Sequence, residues 1–157
     1  MDARLDFMAE PTTGKALKYL MSAGKALRDT ALPITTQELV SVRVSQINGC
    51  AACLDMHIKE ALGAGEDPVR LGLVAAWPEA TVFTDAERAA LELAEAGTRL
   101  ADAAPGVSDE VWANAAKHYD QQQLAALVLL VSFMNLANRM NIITRQPGGD
   151  YQPGQWH

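Results

Sequence analysis

Residues 124–137 read "LAALVLLVSFMNLA", a run without a single charge in which only Ser132 and Asn135 are polar. No proline or glycine interrupts it, and it shows no alternation of apolar and polar residues. A helix built from it is apolar on nearly every side, whereas a helix facing water keeps a polar stripe. The run is too short for a bilayer, which asks for about 20 apolar residues. The sequence therefore predicts a buried helix, started by Asp120 and reaching about Ile143. Such a helix must sit at the centre of the fold or be covered by another chain.

The rest of the chain supplies further helices. "TTGKALKYLMSAGKALR" (12–28) places Leu17, Leu20, Met21 and Leu27 at helical spacings, with Thr12 or Thr13 as its N-cap. After Pro33, "TTQELVSVRVSQI" (35–47) opens with Thr35 and Glu38 in a capping-box pattern, and Asn48-Gly49 punctuates it. The next helix runs from about Cys50 to Leu62, stopped by Gly63 and Gly65. Asp67-Pro68 joins an N-cap to a proline at the first helical position. Thr84 and Glu87 form a second capping-box match before a clearly amphipathic stretch, and Ser108 caps a short helix through Lys117. No stretch alternates as a strand does, and no repeat stands out. The predicted class is all-α, with six or seven helices in a single domain over 1–145. The tail, 146–157, is rich in proline and glycine and should be extended or partly disordered.

At 157 residues, with 49% hydrophobic and 20% charged side chains, the chain has enough apolar material for a real core. Its formal net charge is −6 with no basic stripe, which argues against a nucleic-acid partner. The acidic N-terminus, "MDARLDFMAEPTTGK", has no continuous apolar stretch, so neither a signal peptide nor a membrane partner is expected. Two cysteines are too few for a disulfide-built scaffold and suggest the cytoplasm.

Both of those cysteines, and one of the three histidines, fall within "QINGCAACLDMHIKE" (46–60). On a helix, Cys50, Cys53 and His57 stand at i, i+3 and i+7 and share one face. Cys50 and His57 would then be about 10 Å apart along the axis, at ~1.5 Å per residue. That spread suits a tetrahedral zinc site poorly, and the fourth ligand would have to be a carboxylate, His118 or His157. It suits thiol redox chemistry better. A cysteine near a helix N-terminus is favoured as the thiolate, a second thiol one turn away can trap a sulfenic acid, and His57 can relay a proton. The plainer alternative is two packed cysteines and a histidine that merely solvates its own helix. Glu38, twelve residues before Cys50, reaches the same face if the chain turns back at "SQING". It could equally be the reciprocal half of a helix cap.

Glu38, Cys50-Ala51-Ala52-Cys53 and His57 together resemble the E-x11-C-x-x-C-x-x-x-H signature of the AhpD-like alkylhydroperoxidases, within the carboxymuconolactone decarboxylase-like superfamily. The likeness runs on through "LVSVRVSQINGCAACLDMHIKEALGAGE", "RLGLVAAW", "FTDAERAALELAEAGTRL" and "NLANRMNI". Ala51 and Ala52 depart from it, filling positions that are polar or aromatic in other members. The resemblance implies an all-α fold that assembles into homotrimers or homohexamers and a peroxidase that needs no cofactor. It implies Cys53 as the peroxidatic thiol, Cys50 as the proton-donating and resolving thiol, and Glu38 with His57 as the relay that deprotonates Cys53. It also implies a hydroperoxide substrate and a dithiol reductant, such as a dihydrolipoyl protein, with a peroxiredoxin as a further partner. Two rivals are a lactone decarboxylase, for which Arg43 is the only arginine near the motif, and a non-enzymatic thiol-disulfide sensor or scaffold.

Overall fold

A computed structural model describes residues 2–7, 9–102 and 106–155. Among them are seven α-helices and no strand: α1 (Pro11–Arg28), α2 (Ile34–Asn48), α3 (Ala51–Gly63), α4 (Pro68–Leu73), α5 (Asp85–Thr98), α6 (Asp109–Ala116) and α7 (Gln121–Thr144). A single 3-10 turn, Val74–Ala76, extends α4.

Most helix starts sit where short-range chemistry puts them. Asp67 accepts the Val69 N–H at 2.7 Å, and Pro68 opens α4 behind it. Thr84 and Glu87 close a reciprocal capping box on α5, Ser108 caps α6, and Asp120 with Gln123 closes a second box on α7. Gly49, at φ 74°, takes the left-handed position that ends α2 and turns the chain into α3. Two starts differ from expectation. α1 begins at Pro11 behind Glu10 rather than behind Thr12 or Thr13, because the ring of Pro11 presets the first helical φ. α2 begins at Ile34 behind Pro33 with no side-chain cap, so Thr35 is already inside the first turn and Glu38 lies in the second. Glu38 caps nothing.

The most enclosed helix is α2, not α7. Leu39 and Val42 on one side join Ala61, Leu71, Val74, Phe83 and Leu91 in one core cluster. Val40 and Val44 on another side pack with Cys50, Cys53, Leu93, Leu127 and Met134 in a second. The remaining face of α2 is polar yet buried, carrying Gln37, Glu38, Ser41 and Ser45. Burial of polar side chains requires partners. Ser45 accepts from Asn138 of α7 at 3.2 Å, and Asn48 donates to Asn135 at 3.0 Å and Asn138 at 2.9 Å. This fixes the Gly49 turn against α7.

Within one chain α7 is covered on one side. Ala126, Leu127, Leu130, Val131, Met134 and Asn138 are buried, while Val128, Leu129, Leu136, Ile142 and Ile143 remain exposed. The helix also outruns its apolar stretch: Gln121–Ile143 is long and apolar enough to cross a bilayer by length and composition alone. Length therefore does not distinguish the two readings, contrary to expectation. Asn138, fully buried among helices, marks its inner face as a protein-packing one.

Residues 146–155 form no helix and lie along α3. Asp55 accepts the Gly149 and Tyr151 N–H groups at 2.6 and 3.0 Å, and Lys59 donates to the carbonyls of both residues at 2.9 Å. Glu60 takes the Gly154 N–H at 2.7 Å and the Tyr151 hydroxyl. Burial, with Glu60 beside it, pushes Tyr151 up to about 12. Gly148 passes so near the first turn of α3 that a Cβ would stand 2.6 Å from the Ala51 carbonyl oxygen. His157 lies outside the described residues.

Candidate active site

α2 and α3 present their chemistry to one another across the Gly49 turn. Cys50, in extended conformation, is the N-cap of α3, and its sulfur accepts the Cys53 N–H at 3.3 Å. The two cysteines form a disulfide, with Cα atoms 5.4 Å apart. Cys50 thus stands just ahead of the helix rather than within it, and Cys53 and His57 are neighbours one turn apart on the helix proper.

Glu38 is 3% exposed, and both of its oxygens are engaged. Oε2 accepts from His57 Nδ1 at 2.8 Å, and Oε1 accepts from Arg28 Nη1 at 3.0 Å. A proton held on Nδ1 by the carboxylate leaves Nε2 of a neutral imidazole as the basic nitrogen. That Nε2 is buried and has no hydrogen-bond partner in the protein. A buried, unpaired ring nitrogen is uncommon and suits an atom that exchanges a proton with a neighbour. On the other flank, Asn141 of α7 donates from Nδ2 to Cys53 Sγ at 3.3 Å.

These groups open on a cavity of about 760 Å³ whose lining includes Glu38, Cys53, His57 and Asn141. Leu17 and Met21 of α1, Phe133 and Met140 of α7, and Met56 of α3 make much of its wall apolar. The segments around Leu5 and Tyr151 complete it. Both cysteines are buried, Cys50 at 1% and Cys53 at 3% exposed, but only Cys53 is among the residues that line the cavity. A thioether- and hydrocarbon-lined space leading to one sulfur can receive a small, mainly apolar molecule.

All four residues singled out from the sequence, Glu38, Cys50, Cys53 and His57, meet here. Arg28 and Asn141 were not foreseen. Asn141 lay within the quoted "NLANRMNI" stretch, whereas Arg28, in the last turn of α1, carried no local signal. Arg43 is elsewhere, held by Glu95 at 2.6 Å. His118 is exposed after α6, and no group of three or more His, Cys, Asp or Glu among the described residues is placed to hold a metal ion.

The family model of the carboxymuconolactone decarboxylase family matches residues 13–96, which contain α2, α3 and the whole E-C-C-H set. The chain belongs to this family. The chain is 38% identical over 128 residues to the uncharacterized protein YdfG of Bacillus subtilis, covering 82% of this chain and 86% of that one. It is 36% identical over 108 residues to the uncharacterized YnjA of Escherichia coli, covering 67% of this chain and 56% of YnjA. Its AhpD-like fold is that of a crystal structure from Agrobacterium tumefaciens, a protein of unknown function proposed there as an antioxidant defence protein AhpD. The TM-score is 0.87 at 26% identity, over 96% of this chain and all of that one. An AhpD-core, peroxidase-related protein from Ralstonia eutropha shares the fold at TM-score 0.74 and 20% identity, over 87% and 72% of the two chains.

Proposed function

We propose that this carboxymuconolactone decarboxylase-family chain is a thiol-dependent alkylhydroperoxidase. The observation that carries the reading is the meeting of Cys53 with a Glu38-anchored His57 at the wall of an apolar cavity, with Cys50 bonded behind it. In the reduced protein, His57 Nε2 takes the Cys53 proton while Glu38 steadies the imidazolium, and Arg28 holds Glu38 in place. The Cys53 thiolate attacks the terminal oxygen of the hydroperoxide. The O–O bond breaks, Cys53 becomes a sulfenic acid, and the leaving alkoxide takes the Cys50 proton to depart as an alcohol. The Cys50 thiolate, favoured at the N-cap by the Cys53 N–H, then attacks the Cys53 sulfur. The disulfide forms and hydroxide leaves, protonated by the His57 imidazolium as water. A dithiol, such as a dihydrolipoyl group on a partner protein, returns both thiols, and a peroxiredoxin is a second candidate partner.

The exposed apolar face of α7 supports self-association, and the resemblance to the AhpD-like proteins favours a homotrimer, or a homohexamer built from one. A reversible dithiol of this kind suits the reducing cytoplasm. The test is steady-state reduction of cumene hydroperoxide with dihydrolipoamide as the electron source. Multiple turnovers per chain are expected. Disulfide formation that stops at one equivalent of peroxide, with a supplied dithiol unable to restart it, would make the pair a sensor instead.

A further inference from the structure

We propose that Asn141 is a further catalytic residue, whose side-chain amide holds Cys53 as the thiolate. The inference rests on the peroxidase reading for its purpose, since thiolate is the form that attacks a peroxide, but its physical content concerns the thiol alone.

Three observations meet at this side chain. First, Asn141 Nδ2 lies 3.3 Å from Sγ of Cys53, the cysteine that lines the cavity. A disulfide sulfur carries no hydrogen, so this contact can run only from the amide N–H to sulfur. The orientation is therefore already that of a donor waiting on a sulfur lone pair. Second, Cys50 has its own donor, the Cys53 N–H at the start of α3, so each sulfur of the pair has a separate N–H. Without Asn141, Cys53 would be the poorer thiolate of the two, because it sits one turn inside the helix rather than at its cap. Third, the side chain has no role in ending α7. The Asn141 carbonyl does that, accepting the Gln146 N–H at 2.9 Å. The side chain is left to the cavity.

The chemistry follows from strength and sign. A hydrogen bond to a charged acceptor is roughly twice as strong as one between neutral groups. Opening the disulfide and removing the proton from Cys53 therefore strengthens the Asn141 contact, which favours ionisation. His57 takes the proton; Asn141 keeps the charge that remains.

The experiment uses the full chain in a Cys50→Ser background, where Cys53 is the only thiol. Its ionisation is followed by thiolate absorbance near 240 nm and by the pH dependence of iodoacetamide alkylation, with no peroxide present. Asn141→Leu keeps the size and removes the donor. Asn141→Asp keeps the shape and places an acceptor, then a charge, against the sulfur. The Cys53 pKa is expected to rise by about one unit in the leucine variant and further in the aspartate variant, as expected for loss of a charge-assisted hydrogen bond. Alkylation at neutral pH should slow about tenfold in the leucine variant if Cys53 ionises above neutrality there. Thermal melting of both variants reports any general loss of structure. A Cys53 pKa unchanged in both variants overturns the proposal, as does a shift of equal size in both that follows melting temperature. If the wild type fails to turn over hydroperoxide while the ordered shifts appear, the peroxidase reading falls and the role of Asn141 stands.

Discussion

Replacing Glu38 by glutamine keeps the shape of the side chain and removes its charge, and the structure states what each half of that change should cost. In the native site one carboxylate serves two donors, His57 at 2.8 Å and Arg28 at 3.0 Å. An amide can accept from only one and must turn its own NH₂ toward the other. The Glu38 side chain is 4% exposed, but that of Arg28 is 34% exposed, so water can solvate the guanidinium once its partner is gone. The loss should therefore stay below the ~3–5 kcal/mol of an ion pair broken in full burial. About 1–2 kcal/mol is expected, equal to a few degrees of melting temperature for a chain of this size. Turnover should fall much further. Even with the amide oxygen turned to Nδ1, no charge remains to steady the imidazolium, and general-base catalysis contributes on the order of 10²–10⁴-fold. Arg28→Met separates the two effects, since it removes the same ion pair yet leaves the Glu38–His57 contact. It should cost similar stability and less than about tenfold in rate. The assays are calorimetry and cumene hydroperoxide turnover with dihydrolipoamide. A Glu38→Gln protein that melts early but turns over within a few-fold of wild type would refute the relay.

Cys53→Ser should abolish turnover, whereas Cys50→Ser should leave a sulfenic acid that dimedone traps at Cys53; labelling confined to Cys50 in the intact protein would reverse the assignment. Val128 and Leu129 are 43% and 56% exposed, and aspartate at both should disperse the proposed assembly without unfolding the chain; wild-type light scattering that shows only a 16.9 kDa species with full activity would refute the oligomer. The Lys59 hydrogen bond, with the Gly149 and Tyr151 N–H groups, holds Asp55 below its ordinary 3.8. A carboxyl lowered by folding contributes its stabilisation above that ordinary value and loses it as pH falls through the lower, folded one. The Gly149 and Tyr151 amides should therefore stay protected from hydrogen exchange near neutrality and open in strong acid. Asp55→Asn should open them already at neutral pH.

What the sequence disclosed depended on the range of the interaction. Thr84 with Glu87, Asp67 with Pro68, Ser108 and Asp120 each act within one turn, and each marks a helix start correctly. Thr35 with Glu38 imitates the same signal and misleads, because Pro33 starts α2 earlier and the buried carboxylate is drawn to Arg28 and His57. The continuous apolarity of α7 left it either central or covered by another chain, and within one chain it is covered on one side only. α2 is more deeply enclosed yet hides the fact, since its third face spends Gln37, Glu38, Ser41 and Ser45 on the site and on α7. The E-C-C-H set was legible because its four members span only twenty residues, with Glu38 on α2 and the other three within about two turns at the start of α3. Arg28 and Asn141 enter through contacts between separate helices, α1 to α2 and α7 to α3. No spacing rule announces them.

The burial of Cys50 behind Cys53 has a kinetic meaning. Only one of the two cysteines lines the cavity, so on the proposed reaction the oxidant and the reductant must call at the same residue. The peroxide meets Cys53 as a thiolate. The dithiol meets it as half of a disulfide, forms its mixed disulfide there and expels Cys50 as the better-placed leaving thiolate. Such an enzyme alternates between two forms and never holds both substrates at once. Double-reciprocal plots at several fixed dithiol concentrations should give parallel lines. At high concentration each substrate should inhibit by occupying the form meant for the other.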